Sequence, residues 1–508
     1  MTQAASIQPA TTTTAGDSWT RATFAFLAVY FLIRTVTRAW VSSTPEMDEA
    51  EQLLHSQWLA WGYGPQPPLY TWLQIPVFAL FGHGIFALAL LKNLLLFLTC
   101  VLLYRAAREL SGDRRVGLVA VAALFLEPQF VWFSQSDLTH SVLASAFAAG
   151  TLWVVFRLLR RQRTADYVWL GLCVAGGVLS KYSFIAFLFT LLIALWWRPE
   201  GRRLLRDARL LLAVALAAGL LAPHLWWAWS HPAESLRKFS QLRAAAGDQI
   251  LLAGLTGFVA FIVTLAIYFF PAFGGCAMVL RRWPKPADMW PQGNHGPAVA
   301  ILKTLLLVLI GVSLLAVLVA QATFKPRWIQ PNALVLPLLI AAAWQPCLTL
   351  QLTRRFLVLA GTIALGVSVV LGGRVALASW TGQSQRQNLP LLETARHLQD
   401  RGLTPATIVA DSGYVGAGVG LGWPGSLVMV PGMCPPLPAR APLLFIWEPR
   451  PGTQSLAQVT RLASQLGFPN APFAEAKTLE VPMKFYPGKK FVANYLYLAT
   501  LNPPSATP

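Results

Sequence analysis

The sequence predicts a polytopic α-helical membrane protein carrying a small α/β domain outside the bilayer at its C-terminal end. Three observations predict it. Of the 508 residues, 55% are hydrophobic and only 12% charged, with a mean hydropathy of +0.53, whereas soluble domains carry roughly 25% charged residues. Apolar runs of spanning length recur from residue 22 to residue 373, and a crossing takes about 20 such residues. Beyond about Trp380 the character changes, to a Pro- and Gly-containing stretch with ten Lys and Arg against six Asp and Glu.

The net charge of +19 would suggest a nucleic-acid partner in a soluble protein. Here the basic residues sit in short loops between apolar runs and no nucleic-acid motif accompanies them, so the charge reads as positive-inside topology. The 20 Trp and 28 Phe suit aromatic belts at the two interfaces. Residues 1–20 are expected to form an N-terminal tail. Its first 17 residues, rich in Thr, Ala and Gln, are expected to be disordered, and without a basic start or a small-residue cleavage site they do not read as a signal peptide. The first apolar run is therefore expected to stay as a span.

Qualifying runs lie at 22–40, 84–104, 116–133, 140–157, 209–229, 250–272, 299–321, 331–348 and 356–373. The stretch 167–197 suits a hairpin of two helices turning at Ser180-Lys181-Tyr182, which brings the expectation to about eleven spans. Four loops hold most of the basic residues: four in 105–115, four in 157–163, five in 198–209 and three in 281–285. Residues 41–82 contain none. The positive-inside rule puts the four basic loops in the cytoplasm. Alternation then puts the N-terminus inside and residues 41–82 outside, and an odd span count leaves the tail outside too. The expected organisation is a cytoplasmic tail (1–20), a transmembrane domain (21–379) and an extracytoplasmic domain (380–508). In the last, 407–410, 443–447 and 491–498 read as strands and 391–399 as an amphipathic helix.

The first outer loop is the most patterned segment. Ser43 with Glu46 three residues on reads as a capping box, Pro45 suits a first turn and Gly62 a stop. On that helix Met47, Ala50, Leu54, Trp58 and Trp61 make an apolar stripe, with Asp48, Glu51, Gln52 and His55 opposite. The expectation is an amphipathic helix lying on the membrane with its carboxylates turned away from lipid. An acidic face that is merely solvated, favoured by the helix dipole, would look the same. Pro67-Pro68 then stiffens the chain before a second interfacial helix over 69–81.

An Asp-Glu pair just after the first span, followed by Gly64-Pro65-Gln66-Pro67-Pro68-Leu69-Tyr70-Thr71-Trp72-Leu73-Gln74, resembles the GT-C superfamily of glycosyltransferases. Within it the resemblance is to protein O-mannosyltransferases, lipid A aminoarabinose transferases and transferases that add galacturonic acid to lipopolysaccharide. The wording around the Pro pair is most similar to the last group. The resemblance runs over about residues 20–375 in order and spacing, and the tail adds little to it. It implies an inverting transfer from a polyprenyl-phosphate sugar to a lipid A or lipopolysaccharide acceptor, at the periplasmic face of a bacterial inner membrane. The implied partners are that donor, that acceptor and membrane lipids, with no nucleic acid. No cofactor is implied and no metal is expected.

Residue by residue, the resemblance makes Asp48 the catalytic carboxylate and Glu49 its neighbour, orienting it or binding acceptor. Asp137, in Ser134-Gln135-Ser136-Asp137, matches the second outer-loop Asp. Lys181 falls in a recurrent outer turn, and Arg243 ends a loop whose last Arg meets the lipid phosphate. Lys325 and Arg327 match a later Lys-x-Arg segment, with Trp328 at a position usually Tyr. Gln66, Tyr70 and His55 fall on the substrate side. In the aminoarabinose transferases the Gln66 position is a Lys that binds phosphate, so Arg243, Arg327, Lys325 and Lys181 become the candidates for that charge.

The chemistry wants these residue types. Departing phosphate needs positioned cations, and Arg presents a fork to two of its oxygens. The incoming hydroxyl needs a carboxylate to take its proton. Arg237 and Lys238 read equally well as headgroup anchors, snorkelling outward, and anchoring is the simpler reading of Arg34 and Arg38. His55 and His140 are each better explained as hydrogen-bonded residues than as metal ligands. Cys100, Cys173, Cys276, Cys347 and Cys434 have neither metal-ligand spacing nor a plausible disulfide pairing. A transporter or flippase of polyprenyl-linked sugars would share the spans and ionisable residues, but such proteins carry internal repeats and none is found. A non-catalytic assembly subunit would not need the carboxylates and outer cations together.

Overall fold

A computed structural model of the chain describes residues 12–235, 250–290, 296–320, 327, 329–449, 455–466 and 468–499. The lead expected to be disordered falls partly outside the described residues, which begin with helix α1 (Thr12–Val41). The first outer loop carries α2 (Met47–His55) and α3 (Leu69–Phe81). Then follow α4 (Ile85–Ser111), α5 (Arg114–Leu124), the short α6 (Ser134–Ser136), α7 (His140–Arg160) and α8 (Thr164–Ser180).

Among the described residues seven helices are long and apolar enough to cross a membrane, or nine if each of two bent pairs is one span. The chain is thus a polytopic α-helical membrane protein with seven to nine such spans, fewer than the eleven expected. The differences have local causes. The run 116–133 bends by 68° between α5 and the turn starting at Gln129, where Pro128 follows the buried Glu127. The run after Phe184 bends by 115° at its junction with Pro199. The run 331–348 is broken into Gln330–Ala333, Val335–Trp344 and the turn Gln345–Cys347, of which the longest, the ten-residue helix Val335–Trp344, is about 15 Å long. It packs on α5 and on Pro297–Ala320 with nearly every side chain buried. It is apolar because it is core, which hydropathy cannot tell from lipid contact. The span α7 is central, 78% of its apolar stretch buried, whereas Leu210–Ser230 is 17% buried and faces outward.

The C-terminal domain is a five-stranded mixed sheet in the order β2-β1-β3-β5-β4. Its strands are β1 (Thr407–Ala410), β2 (Leu427–Met429), β3 (Leu443–Trp447), β4 (Lys477–Met483) and β5 (Tyr486–Leu498). β1 runs parallel to β2 and β3, while β5 is antiparallel to β3 and β4. β1 and β3 are buried throughout because both faces are covered. Ile408, Leu444 and Ile446 pack with Leu391, Ala395 and Leu398 of the helix Leu391–Gln399. Val409, Leu443 and Phe445 pack with Val459 and Leu462 of Ser455–Gln465.

This domain holds the first outer loop, and here the membrane-surface expectation is overturned. The apolar face of α2, with Ala50, Leu53 and Leu54, packs into the C-terminal core and against the helix Gly413–Gly420. The N-cap is Glu46, not Ser43: Glu49 accepts the Glu46 N–H at 3.0 Å, closing a capping box. The helix stops at His55, short of Trp58 and Trp61, because Gln57 is drawn to the sheet edge. Gln57 donates to the Val428 carbonyl at 3.0 Å and accepts the Val428 N–H at 2.7 Å. At the other end of α2, the Glu46 carboxylate takes Arg386 and Gln387, each at 2.9 Å.

Candidate active site

Two cations inside spans prepare the site. Arg38, in the last turn of α1, and Lys92, in the second turn of α4, both reach the fully buried Glu49, at 2.5 and 3.1 Å. Burial alone would push the Glu49 carboxyl up. Arg38 and Lys92 outweigh it and hold the group at about 2, so Glu49 is a carboxylate with one cation on each oxygen. Arg38 also donates to the carbonyls of Ser42 (3.0 Å) and Thr44 (2.8 Å), bracing the turn into α2. Arg34 reaches Gln135 at 3.4 Å, and Gln135 donates to Asn93 at 3.0 Å. Arg34 and Arg38 are both buried, which corrects the expectation of headgroup anchors. Placed inside, they tie α1, α4 and the 129–139 segment together.

Asp48 lies one residue earlier in α2 and points the other way. Its backbone N–H donates to Asp137 Oδ1 at 2.8 Å, and its own Oδ2 accepts the Thr139 N–H at 3.2 Å. The reciprocal pair depends on the turn between α6 and α7, where Asp137 ends one helix and Thr139 caps the next. Burial and then the charge of Glu51 raise the Asp48 carboxyl, opposed by Lys181, Arg327 and the Thr139 N–H. Asp137 is raised to about 7, by burial first and then by the Asp48 charge.

A hydrogen-bonded floor supports this pair. His140 donates through Nδ1 to the Ser180 carbonyl at 3.0 Å, which leaves Nε2 to accept from Gln52 at 3.0 Å. Gln52 Oε1 in turn accepts from Thr71 at 2.8 Å. The order fixes the His140 tautomer and joins α2, α3, α7 and the end of α8. The fully buried Tyr70 ring sits 5.5 Å from the His140 ring, and burial, then Glu49 and Asp48, raise its hydroxyl well above the ordinary value. Lys181, following α8, donates to Ser141 Oγ. Beyond Lys181, Tyr182 donates to His224 Nε2 at 3.1 Å and His224 Nδ1 donates to the Trp61 carbonyl at 2.7 Å. Gly62 is required there, since a Cβ would lie 2.0 Å from the Trp227 ring.

Of the residues singled out in the sequence, Asp48, Asp137, Lys181 and Arg327 converge through these contacts and charges. Gln66 stands 3.5 Å from Glu51. Glu49 faces the spans instead, and His55 stacks on Tyr63 (4.9 Å) at the far end of α2. Arg243 and Lys325, like Arg237, Lys238 and Trp328, lie outside the described residues. Among the described residues no group of three or more His, Cys, Asp or Glu is arranged to hold a metal ion. Sequence reasoning missed Arg38 and Lys92 as partners of Glu49, although a lone cation inside an apolar run is itself a signal. It also missed the Gln52–His140 link, which spacing within one helix cannot reveal.

Residues 65–227 match the family described as dolichyl-phosphate-mannose-protein mannosyltransferase. The lipopolysaccharide core galacturonosyltransferase RgtB of Rhizobium johnstonii is 33% identical over 90% of this chain and 93% of its own length. The chain belongs to the GT-C superfamily of polyprenyl-phosphate-sugar glycosyltransferases. A second galacturonosyltransferase of the same organism, RgtA, is 31% identical to the transferase over 93% of this chain and 96% of its own. The crystal structure of ArnT from Cupriavidus metallidurans bound to undecaprenyl phosphate shares the fold, with a TM-score of 0.61 at 13% identity over 93% of this chain and 97% of that one.

Proposed function

We propose that the transferase moves galacturonic acid from a polyprenyl-phosphate donor to the lipopolysaccharide core or lipid A, by inverting displacement at the periplasmic face of the inner membrane. The carrying observation is the Asp48 carboxylate, oriented by the Thr139 N–H and acted on by the charges of Lys181 and Arg327. In this reading Asp48 takes the proton of the acceptor hydroxyl as that oxygen attacks the anomeric carbon, and the phosphate leaves toward the cations. Arg327 and Lys181 meet the phosphate, joined by Arg243 and Lys325. Asp137 holds the Asp48 backbone, and its charge adds to the burial and the Glu51 charge that raise the Asp48 carboxyl. Glu49 acts as the positioning group that locks α2 to α1 and α4. Gln66 and Tyr70 lie on the substrate side, and His55 supports it from the far end of α2 through its stacking on Tyr63. The sugar rests on the two relatives that match nearly end to end, both described as lipopolysaccharide core galacturonosyltransferases.

The proposed topology has eleven crossings: the nine spans and bent pairs, with Thr164–Ser180 and the broken, buried segment 330–347 as the other two. That count keeps residues 1–20 in the cytoplasm and the 380–508 domain outside, capping the 21–379 catalytic domain. A tag after Pro508 is then reached from the periplasm and one between Arg161 and Arg163 only from the cytoplasm. The function is tested with purified protein, synthetic polyprenyl-phosphate galacturonic acid and a truncated lipopolysaccharide, read by mass spectrometry. Transfer of aminoarabinose but not galacturonic acid would overturn the choice of sugar, and donor left unconsumed under all conditions would overturn the reaction.

A further inference from the structure

Far from the carboxylates, at the opposite ends of α4 and α7, lies a cavity of about 680 Å³. The length of α7 puts it roughly 30 Å from the Asp48 site, about the hydrocarbon thickness of a bilayer. Five arginines line it: Arg105 and Arg108 from α4, Arg157 and Arg160 from α7, and Arg161. Among the described residues two carboxylates answer them. Asp166 takes Arg157 at 2.5 Å, and Glu109 takes Arg160 at 3.2 Å and Arg161 at 3.8 Å. Arg105 and Arg108 have no carboxylate partner among the described residues. Each is instead laid over an aromatic ring, Arg105 at 5.3 Å from the centre of Trp153 and Arg108 at 5.8 Å from Tyr104. Arg157 reaches the same Trp153 at 5.0 Å.

Positive-inside sorting asks only that cations lie near these helix ends. It does not ask that five of them surround one space, nor that two be held on ring faces with their forks unspent. The arrangement fits a phosphate, and the volume suits a headgroup-sized ligand. Trp153, an amphipathic ring at the level where spans leave the hydrocarbon, directs the choice of source toward the bilayer. We propose that this cleft binds the phosphodiester headgroup of an anionic membrane phospholipid, with Arg105 and Arg108 donating to its phosphate and Trp153 flooring the site.

The test uses the full chain in neutral detergent, titrated with dioctanoyl phosphatidylglycerol and followed by native mass spectrometry and thermal stability. Arg105→Gln with Arg108→Gln is expected to weaken phosphatidylglycerol binding about thirtyfold, at about 1 kcal/mol per surface cation. The same loss of charge at Arg203→Gln with Arg206→Gln, exposed residues outside the cavity, is expected to leave binding unchanged. Lipid-free thermal stability of both pairs shows whether each folds, and Arg105→Lys with Arg108→Lys, expected to bind with an intermediate affinity, covers a failure of the first pair. Equal weakening by both Gln pairs overturns the site. Equal binding of dioctanoyl phosphatidylcholine overturns the selectivity, and matching stabilisation by inorganic phosphate through Arg105 and Arg108 overturns the lipid as source.

Discussion

Replacing Glu49 by Gln removes the one negative charge between two buried cations while keeping the size of the side chain. The carboxyl is held at about 2 against its ordinary 4.5, a preference of about 3 kcal/mol at about 1.4 kcal/mol per tenfold. That agrees with the roughly 3–5 kcal/mol by which breaking a buried ion pair destabilises, since the partner charge is left uncompensated. Here the partners are Arg38 and Lys92 at 2.5 and 3.1 Å. The expected loss is therefore about 3 kcal/mol, read as a shift in the SDS fraction that unfolds the protein in mixed micelles. Lys92→Met added to Glu49→Gln should restore part of it, because one stranded cation is gone, giving a favourable coupling between the two sites. The sign with pH follows from the lowered value: this stabilisation is complete above the ordinary 4.5 and is lost as pH falls through about 2. A Glu49→Gln protein that unfolds at the wild-type SDS fraction, or a coupling of zero with Lys92, would refute the reasoning.

Asp48→Asn should abolish transfer while expression and membrane insertion stay normal, and activity within about threefold of wild type, against the 10²–10⁴-fold usual for acid–base catalysis, would remove Asp48 from the base role. Asp137→Asn keeps an oxygen for the Asp48 N–H but deletes a charge that burial and Asp48 hold at about 7. With that charge absent, the acid limb of kcat/KM should move to lower pH, and an unmoved limb means that Asp137 does not act on Asp48. The raised value also means that this group's contribution to stability is complete below the ordinary 3.8 and is lost as pH rises through about 7, so wild type and Asp137→Asn should diverge in thermal stability across that window. Arg327→Ala should lower kcat by about 10²–10³, with Arg327→Lys recovering part because charge remains but the fork is lost. Arg243→Ala should match it and Arg237→Ala should be nearly silent. If Arg237→Ala is the more damaging, the Arg243 loop is aligned wrongly.

Much of this chain was legible because bilayers impose simple rules. Composition and loop charge were enough for a polytopic membrane protein with a patterned first loop free of Lys and Arg. The short apolar runs 407–410 and 443–447 and the amphipathic 391–399 stretch read as the strands and helix they are, since both signals are local. Asp48 and Asp137 were legible as a pair only through resemblance, being 89 positions apart in sequence. What only the tertiary structure decided are the facts that depend on what lies opposite. The stripe of Ala50 and Leu54 reads equally well as a lipid face or a protein face, and it is the C-terminal domain that covers it. The run 331–348 reads as a lipid-facing span, and its helix Val335–Trp344 is buried among other helices. Glu49 and Asp48 are adjacent carboxylates on one helix, so their side chains diverge by about 100°. One meets Arg38 and Lys92 from two spans and is fixed as an anion, while the other is raised by burial and the charge of Glu51 against the pull of Lys181 and Arg327. Their separate roles come from neighbours that no local spacing encodes.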